Sequence, residues 1–213
     1  MSDFDFNNAE PQRAMGELIP DGTVCLVVAT LRPGGHGPGG WLKNNNDGTC
    51  SMADFEFTID GGEYDRRKFW NMMVTEGSTE GQQKAANITR SKLRAMLESA
   101  FGVHPGDDSP DAIAKRQVSG WGAFDGLKFC AKVGIEKGGL KDKTAGPNSE
   151  RYADKNVLKA ALTIDESDYI NPGPQQGSFQ TAGKAVQTAA KAVGGATGAA
   201  VASAAATKPA WAS

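Results

Sequence analysis

Ser51-Met52-Ala53-Asp54-Phe55-Glu56-Phe57-Thr58-Ile59 is the stretch that decides the fold. Ala53, Phe55, Phe57 and Ile59 fall on one side of an extended backbone, and Asp54, Glu56 and Thr58 on the other. That two-residue period marks a strand with one face in a core. Before it, Thr23 to Leu31 is a nearly continuous apolar run, the signature of a more deeply buried strand. The Gly- and Asn-rich span from Arg32 to Thr49 joins the two as a long loop carrying Trp41 and Lys43. After it, Gly61-Gly62 turns the chain into a third strand, Tyr64 to Val74. There Arg66, Lys68, Trp70 and Met72 alternate with Arg67, Phe69, Asn71 and Met73. Neither set is purely apolar, so the pattern leaves the register of this strand open.

Thr79 and Gln82 form a capping box that starts a helix running to about Phe101, with Gly102 as its stop. Its apolar residues recur at near-helical spacing. A short second helix is expected from Ser109-Pro110, with proline in the first turn. A fourth strand, Leu127 to Ile135, directs Leu127, Phe129, Ala131, Val133 and Ile135 to the core and Lys128, Cys130 and Lys132 outward. A polar loop, Lys137 to Asp154, leads to a fifth strand from about Asn156 to Ile164. Three strands, a long helix and two strands is the chain order of the oligonucleotide-binding barrel. The expected fold is mainly β with α: a five-stranded barrel of that kind with a long helix between its third and fourth strands. Residues 1–21 read as an acidic arm, 22–170 as the barrel domain, and 171–213 as a disordered Ala/Gly-rich tail tipped by Trp211.

The 213 residues carry 23 basic and 25 acidic side chains, so net charge alone gives no nucleic-acid signal. Its distribution says more. Residues 1–21 hold five acids and one base, whereas residues 126–164 hold eight bases and four acids. Positive charge therefore gathers on one half of the domain. Three cysteines without close spacing, and only two histidines, argue against a structural zinc site; no cofactor is expected. Free thiols, an acidic N-terminus and the lack of a long apolar span point to a cytoplasmic protein with no membrane partner.

Enzyme signatures are missing. No Asp/Glu-x-Lys triple, Gly-x-Ser-x-Gly elbow or phosphate-binding Walker loop occurs. Gly35-x-Gly37-x-x-Gly40 matches a dinucleotide fingerprint formally, but Trp41-Leu42-Lys43 and three asparagines follow it where a helix N-terminus would have to stand. The expectation is a non-catalytic protein.

Arg66-Arg67-Lys68-Phe69-Trp70 interleaves cations with aromatic rings. Cations neutralise phosphates and an exposed ring stacks a base. Lys128, Lys132, Lys137, Lys141, Lys143, Arg151 and Lys155 extend the positive surface, with Tyr152 as a further stacking ring. Trp41 is either a lid over this groove or a plug on the core. The bland alternative is that exposed lysines merely guard a strand edge from pairing. Asp54 and Glu56 pull the other way, because a groove lined by their face would repel phosphate.

Ile19-Pro20-Asp21-Gly22-Thr23, Arg67-Lys68-Phe69-Trp70-Asn71, Lys92-Leu93-Arg94-Ala95-Met96-Leu97 and Tyr152-Ala153-Asp154-Lys155-Asn156 together resemble a family of uncharacterised phage and prophage proteins. Members are encoded near recombination and replication functions and regarded as single-strand binders. The resemblance spans roughly residues 17–165 and implies single-stranded DNA binding without sequence preference, and no catalytic residue. It also implies a place beside phage or host replication and recombination proteins as partners. Trp211, a lone aromatic at the tip of the tail, is the expected contact with such partners, although that tip lacks the acidic residues of bacterial single-strand binders. A homo-oligomer is a further expectation. A protein-interaction module that assembles such machinery without touching nucleic acid is the rival expectation.

Overall fold

The computed structural model describes residues 17–142, 144, 146 and 149–175; the expectations for Lys143, Trp211, most of the N-terminal arm and most of the tail lie outside these residues. Among the described residues the fold is mainly β, with one six-stranded antiparallel sheet and two α-helices. The strands are β1 (Val24–Arg32), β2 (Lys43–Asn44), β3 (Cys50–Ile59), β4 (Lys68–Gly77), β5 (Lys128–Glu136) and β6 (Lys155–Ala161). Helices α1 (Glu80–Phe101) and α2 (Pro110–Arg116) fall in the chain between β4 and β5.

β1 is the shared element. Its second half pairs with β3, setting Leu31 beside Phe55 and Ala29 beside Phe57, and its first half pairs with β5. The apolar run of β1 is therefore flanked on both edges. β4 adds to the far edge of β3 and β6 to the far edge of β5. β2 is an addition to the expected set: two residues of the long first loop pair with Met52 and Ser51. A two-residue ladder leaves too short a pattern to detect by period.

The core follows from the alternation of β3. Phe55 and Phe57 are fully buried with rings 5.7 Å apart, and Phe57 also meets Phe69 at 5.2 Å and Phe129 at 5.8 Å. Such aromatic pairs add stabilisation beyond the area that they remove from water. α1 begins with the Thr79–Gln82 capping box and ends on Gly102 in the left-handed conformation, φ 59°. Met96, Leu97 and Ala100 face inward, and Lys92 donates to the Leu158 carbonyl of β6 at 3.0 Å.

No ladder joins β4 to β6 among the described residues. A side-chain hydrogen bond spans them: the Leu158 N–H donates to Asn71 Oδ1 at 3.1 Å. Nearby, the buried Asn156 side chain clasps the start of the fold, accepting from Ile19 N–H at 2.9 Å and donating to the Ile19 carbonyl at 2.8 Å. Both polar ends of the amide are thereby satisfied out of water.

Two expectations require correction. Tyr64 to Arg67 are not strand but turn, and β4 starts at Lys68. Gly61 N–H donates to Asp65 Oδ1 at 2.7 Å and Arg66 adopts φ 62°, so the hairpin loop is longer than Gly61-Gly62. The register of β4 then follows: Phe69, Met73 and Thr75 are inside, Lys68, Trp70, Met72 and Glu76 outside. Cys130 does not face solvent. It is fully buried beneath the segment after β6, where Leu162 N–H donates to the Cys130 carbonyl and Ile170 N–H to Cys130 Sγ. The edge of β5 past β6 is closed by side chains, Ser99 taking Cys130 N–H and Gln175 bonding both backbone groups of Lys128. An alternation rule cannot foresee a covering segment that arrives thirty residues later.

Candidate nucleic-acid interface

Register places three rows of residues across the outward face of β1, β3 and β4. Val28, Thr58 and Lys68 form one row, Thr30, Glu56 and Trp70 the next, and Arg32, Asp54 and Met72 the third. Trp70 is 45% exposed and Met72 51%, large apolar surface for residues held on a rigid strand. The Trp70 indole is fixed rather than loose, since Nε1 donates to Glu56 Oε2 at 3.0 Å. Lys68 holds the other oxygen of the same carboxylate at 2.5 Å.

The acids that opposed phosphate binding are thereby neutralised. Asp54 is only 2% exposed and takes both Arg32, at 2.6 Å, and Lys43, at 2.5 Å. Burial pushes its carboxyl up, but the hydrogen bonds from Arg32 and Lys43 outweigh burial and hold it below the usual range. Lys68 first, then Trp70, does the same for Glu56 against a smaller effect of burial. Arg32, Lys43 and Lys68 thus answer Asp54 and Glu56, and with the exposed Glu76 of β4 counted this face is close to neutral.

These shifts carry a pH dependence. Both carboxyls have folded-state values below their unfolded ones, so their contribution is fully present above about pH 4, the unfolded carboxylate range. It is lost as pH falls through the lowered folded values. Denaturant midpoints measured from pH 7 down to pH 3 are expected to drop on the acid limb, and Asp54→Asn to flatten that drop. An unchanged acid limb in the variant would remove Asp54 from the account.

The other cations expected at the site are scattered and occupied. Lys128 pairs with Asp60 at 2.5 Å, Lys137 with Asp154 at 2.7 Å, Lys141 with Glu150 at 2.8 Å and Lys155 with Glu136 at 3.4 Å. Lys132 lies 3.9 Å from Asp168. Arg151 donates to the Gly138 carbonyl and Arg67 to the Glu17 carbonyl, with the Arg67 guanidinium also 5.6 Å above the Tyr64 ring. Arg66, in its turn, is 91% exposed and only loosely paired with Asp65 at 3.6 Å. Tyr152 is well exposed on the loop before β6, where Gly138 passes so close to the Tyr152 carbonyl that any side chain there would collide.

Trp41 is set apart from Trp70. Half-buried, it packs on the core and lies against Gly39 and Gly122, where added Cβ atoms would stand 2.9 and 3.2 Å from its ring. Of the two readings of this residue, the plug describes it. Residues that sequence reasoning passed over are Arg32, Thr30 and Met72. Met72 shares the Trp70 side of the alternation in sequence, whereas Thr30 and Arg32 are brought to this face only by the pairing of β1 with β3. Among the described residues no group of three or more His, Cys, Asp or Glu side chains could hold a metal ion. Nor is any helix among them long and apolar enough to cross a membrane.

No protein-family model matches this chain. No curated protein and no solved structure matches it either.

Proposed function

We propose that this domain binds single-stranded DNA without catalysis and without reading its sequence, as an accessory of phage-type replication or recombination. Exposed Trp70 carries the reading: an indole pinned at its edge by Glu56, on a rigid strand, with Lys68 and Arg32 close by. A fixed ring with a free face stacks any base, and neighbouring cations take the flanking phosphates. In this reading the sheet is a five-stranded oligonucleotide-binding barrel with β2 as an embellishment. Asn71 brings the outer strands together, and α1, between the third and fourth barrel strands, packs beneath. The likeness to phage single-strand binders stands as part of the proposal.

The pairing of Lys43, Lys68, Lys128, Lys132, Lys137, Lys141 and Lys155 with carboxylates of the same chain favours the second reading, a protein-interaction module. Apart from Lys43, whose partner Asp54 is buried, these ion pairs are largely solvent-exposed and therefore weak and screened, so incoming phosphates exchange for them readily. Pairing therefore lowers the affinity that these lysines supply without removing it.

Fluorescence anisotropy of a labelled oligo-dT, titrated at low and moderate salt, separates the two. Three neutralised phosphates give a slope of about −2 in log affinity against log salt, roughly an order of magnitude between 50 and 200 mM. Binding with that slope, and little affinity for duplex, is the expected result. No binding at low salt discards the nucleic-acid reading and leaves the module.

A further inference from the structure

Behind the sheet, on the side of Phe55 that meets Phe124, the helices leave a groove of about 420 Å³. Leu93 and Leu97 of α1, with Val118, Trp121 and Phe124, make an apolar floor. Its rim is arginine: Arg90, Arg94 and Arg116, with no carboxylate among the lining residues. Glu98 accepts from both Arg94 and Arg116, each at 2.7 Å, so one carboxylate answers two guanidiniums. Arg90 donates to the neutral Asn87. The groove is thus apolar below and carries about two positive charges in excess around it, which calls for an occupant that is both apolar and anionic.

The chain contains a segment with the complementary chemistry. Asp3-Phe4-Asp5-Phe6 alternates two carboxylates with two phenyl rings, in a stretch of residues 1–16 that holds three acids and one base and lies outside the described residues. We propose that this segment docks in the groove of its own chain, a phenyl ring on the Leu93–Trp121 floor and the aspartates on Arg90 and Arg94.

Reach permits it. The described chain begins at Glu17, anchored through Arg67, and Ile19 is fully buried. From Phe6 to Glu17 an extended chain spans up to about 36–40 Å. A domain of this size has a radius of gyration of roughly 15 Å, so a span of this length covers much of its surface. Tethering over so short a span sets an effective concentration of about millimolar order, which keeps even a weak contact occupied. A second acidic-aromatic peptide would have to displace the arm to enter. This inference stands whether or not the sheet face binds DNA.

The test uses the full chain with a photoreactive benzoylphenylalanine in place of Phe4. Irradiation is expected to give an intramolecular crosslink that maps to peptides containing residues 90–97 or 118–124. Its yield should fall at least about threefold in Arg90→Glu, and similarly when salt rises from 50 to 500 mM as the charges are screened. Arg90 is exposed, so circular dichroism of that variant should match the parent. A crosslinked dimer would overturn docking within one chain. Crosslinks to the β3–β4 face, no crosslink, or a yield indifferent to Arg90→Glu would overturn the site itself.

Discussion

Trp70→Ala is expected to weaken oligo-dT binding about five- to hundredfold, because stacking of one base on an aromatic ring is worth roughly 1–3 kcal/mol. Three observations make this the most sensitive position. The ring is 45% exposed, so its removal leaves no cavity. It sits in the middle row of the sheet face, between the rows that carry Lys68 and Arg32. It is held in place by Glu56, so little rotational freedom is lost when a base arrives. Trp70→Phe should restore most of the affinity, since a smaller ring still stacks. Glu56→Gln should keep the neutral hydrogen-bonding partner while relieving a negative charge, and so bind slightly better at low salt. Thermal unfolding of Trp70→Ala should stay close to the parent. An affinity unchanged by Trp70→Ala, at any salt concentration, would move the binding surface off this face.

Phe57→Ala is expected to have the largest effect on stability, about 3–5 kcal/mol, since it removes a buried ring and leaves a cavity. Phe57 lies where the rings of Phe55, Phe69 and Phe129 converge, on three different strands. Its loss therefore loosens β3, β4 and β5 together rather than one local contact. Domains of this size lose about 2–4 °C in Tm per kcal/mol, so a fall of roughly 6–20 °C is expected by calorimetry. Against a typical total of about 5–15 kcal/mol, this brings the domain close to unfolding at physiological temperature. Urea titration should show a lower midpoint with the same slope, because the native sheet is retained. A loss below about 1 kcal/mol would mean that the surrounding rings collapse into the space, which their interlocked tilted and edge-on geometry opposes.

The elements that were legible in sequence are those with a local cause. The alternation of Ala53, Phe55, Phe57 and Ile59 foretold which side of β3 is core, and all four are buried. The Thr79–Gln82 box and Gly102 bracketed α1, and Ser109-Pro110 marked the start of α2, because caps act within one turn of the chain. Features set by distant pairing were not legible. Arg66 reads as a strand residue until the Asp65 side chain is seen to extend the turn. Cys130 reads as solvent-facing until residues 162–170 are laid over it. The outward face illustrates the difference best: Trp70 was conspicuous as an aromatic among cations, yet Arg32 and Lys43 could be joined to Asp54 only through the register of three strands. The acids looked repulsive in sequence because their partners lie 22 and 11 residues away for Asp54, and 12 and 14 for Glu56.

The Asn156 clasp has a consequence for the order in which the polypeptide is made. Ile19 leaves the ribosome early, but the side chain that secures it follows 137 residues later. Until then the nascent product carries β1, β3 and β4 with the far edge of β4 unopposed and a bare isoleucine at its start. Contacts of such long sequence separation form late and slow the search for the native state. Polypeptides interrupted before Asn156 should therefore accumulate as aggregation-prone fragments rather than as smaller folded domains. Emergence of β6 from the ribosome, rather than of α1, is then the event expected to let the newborn chain close.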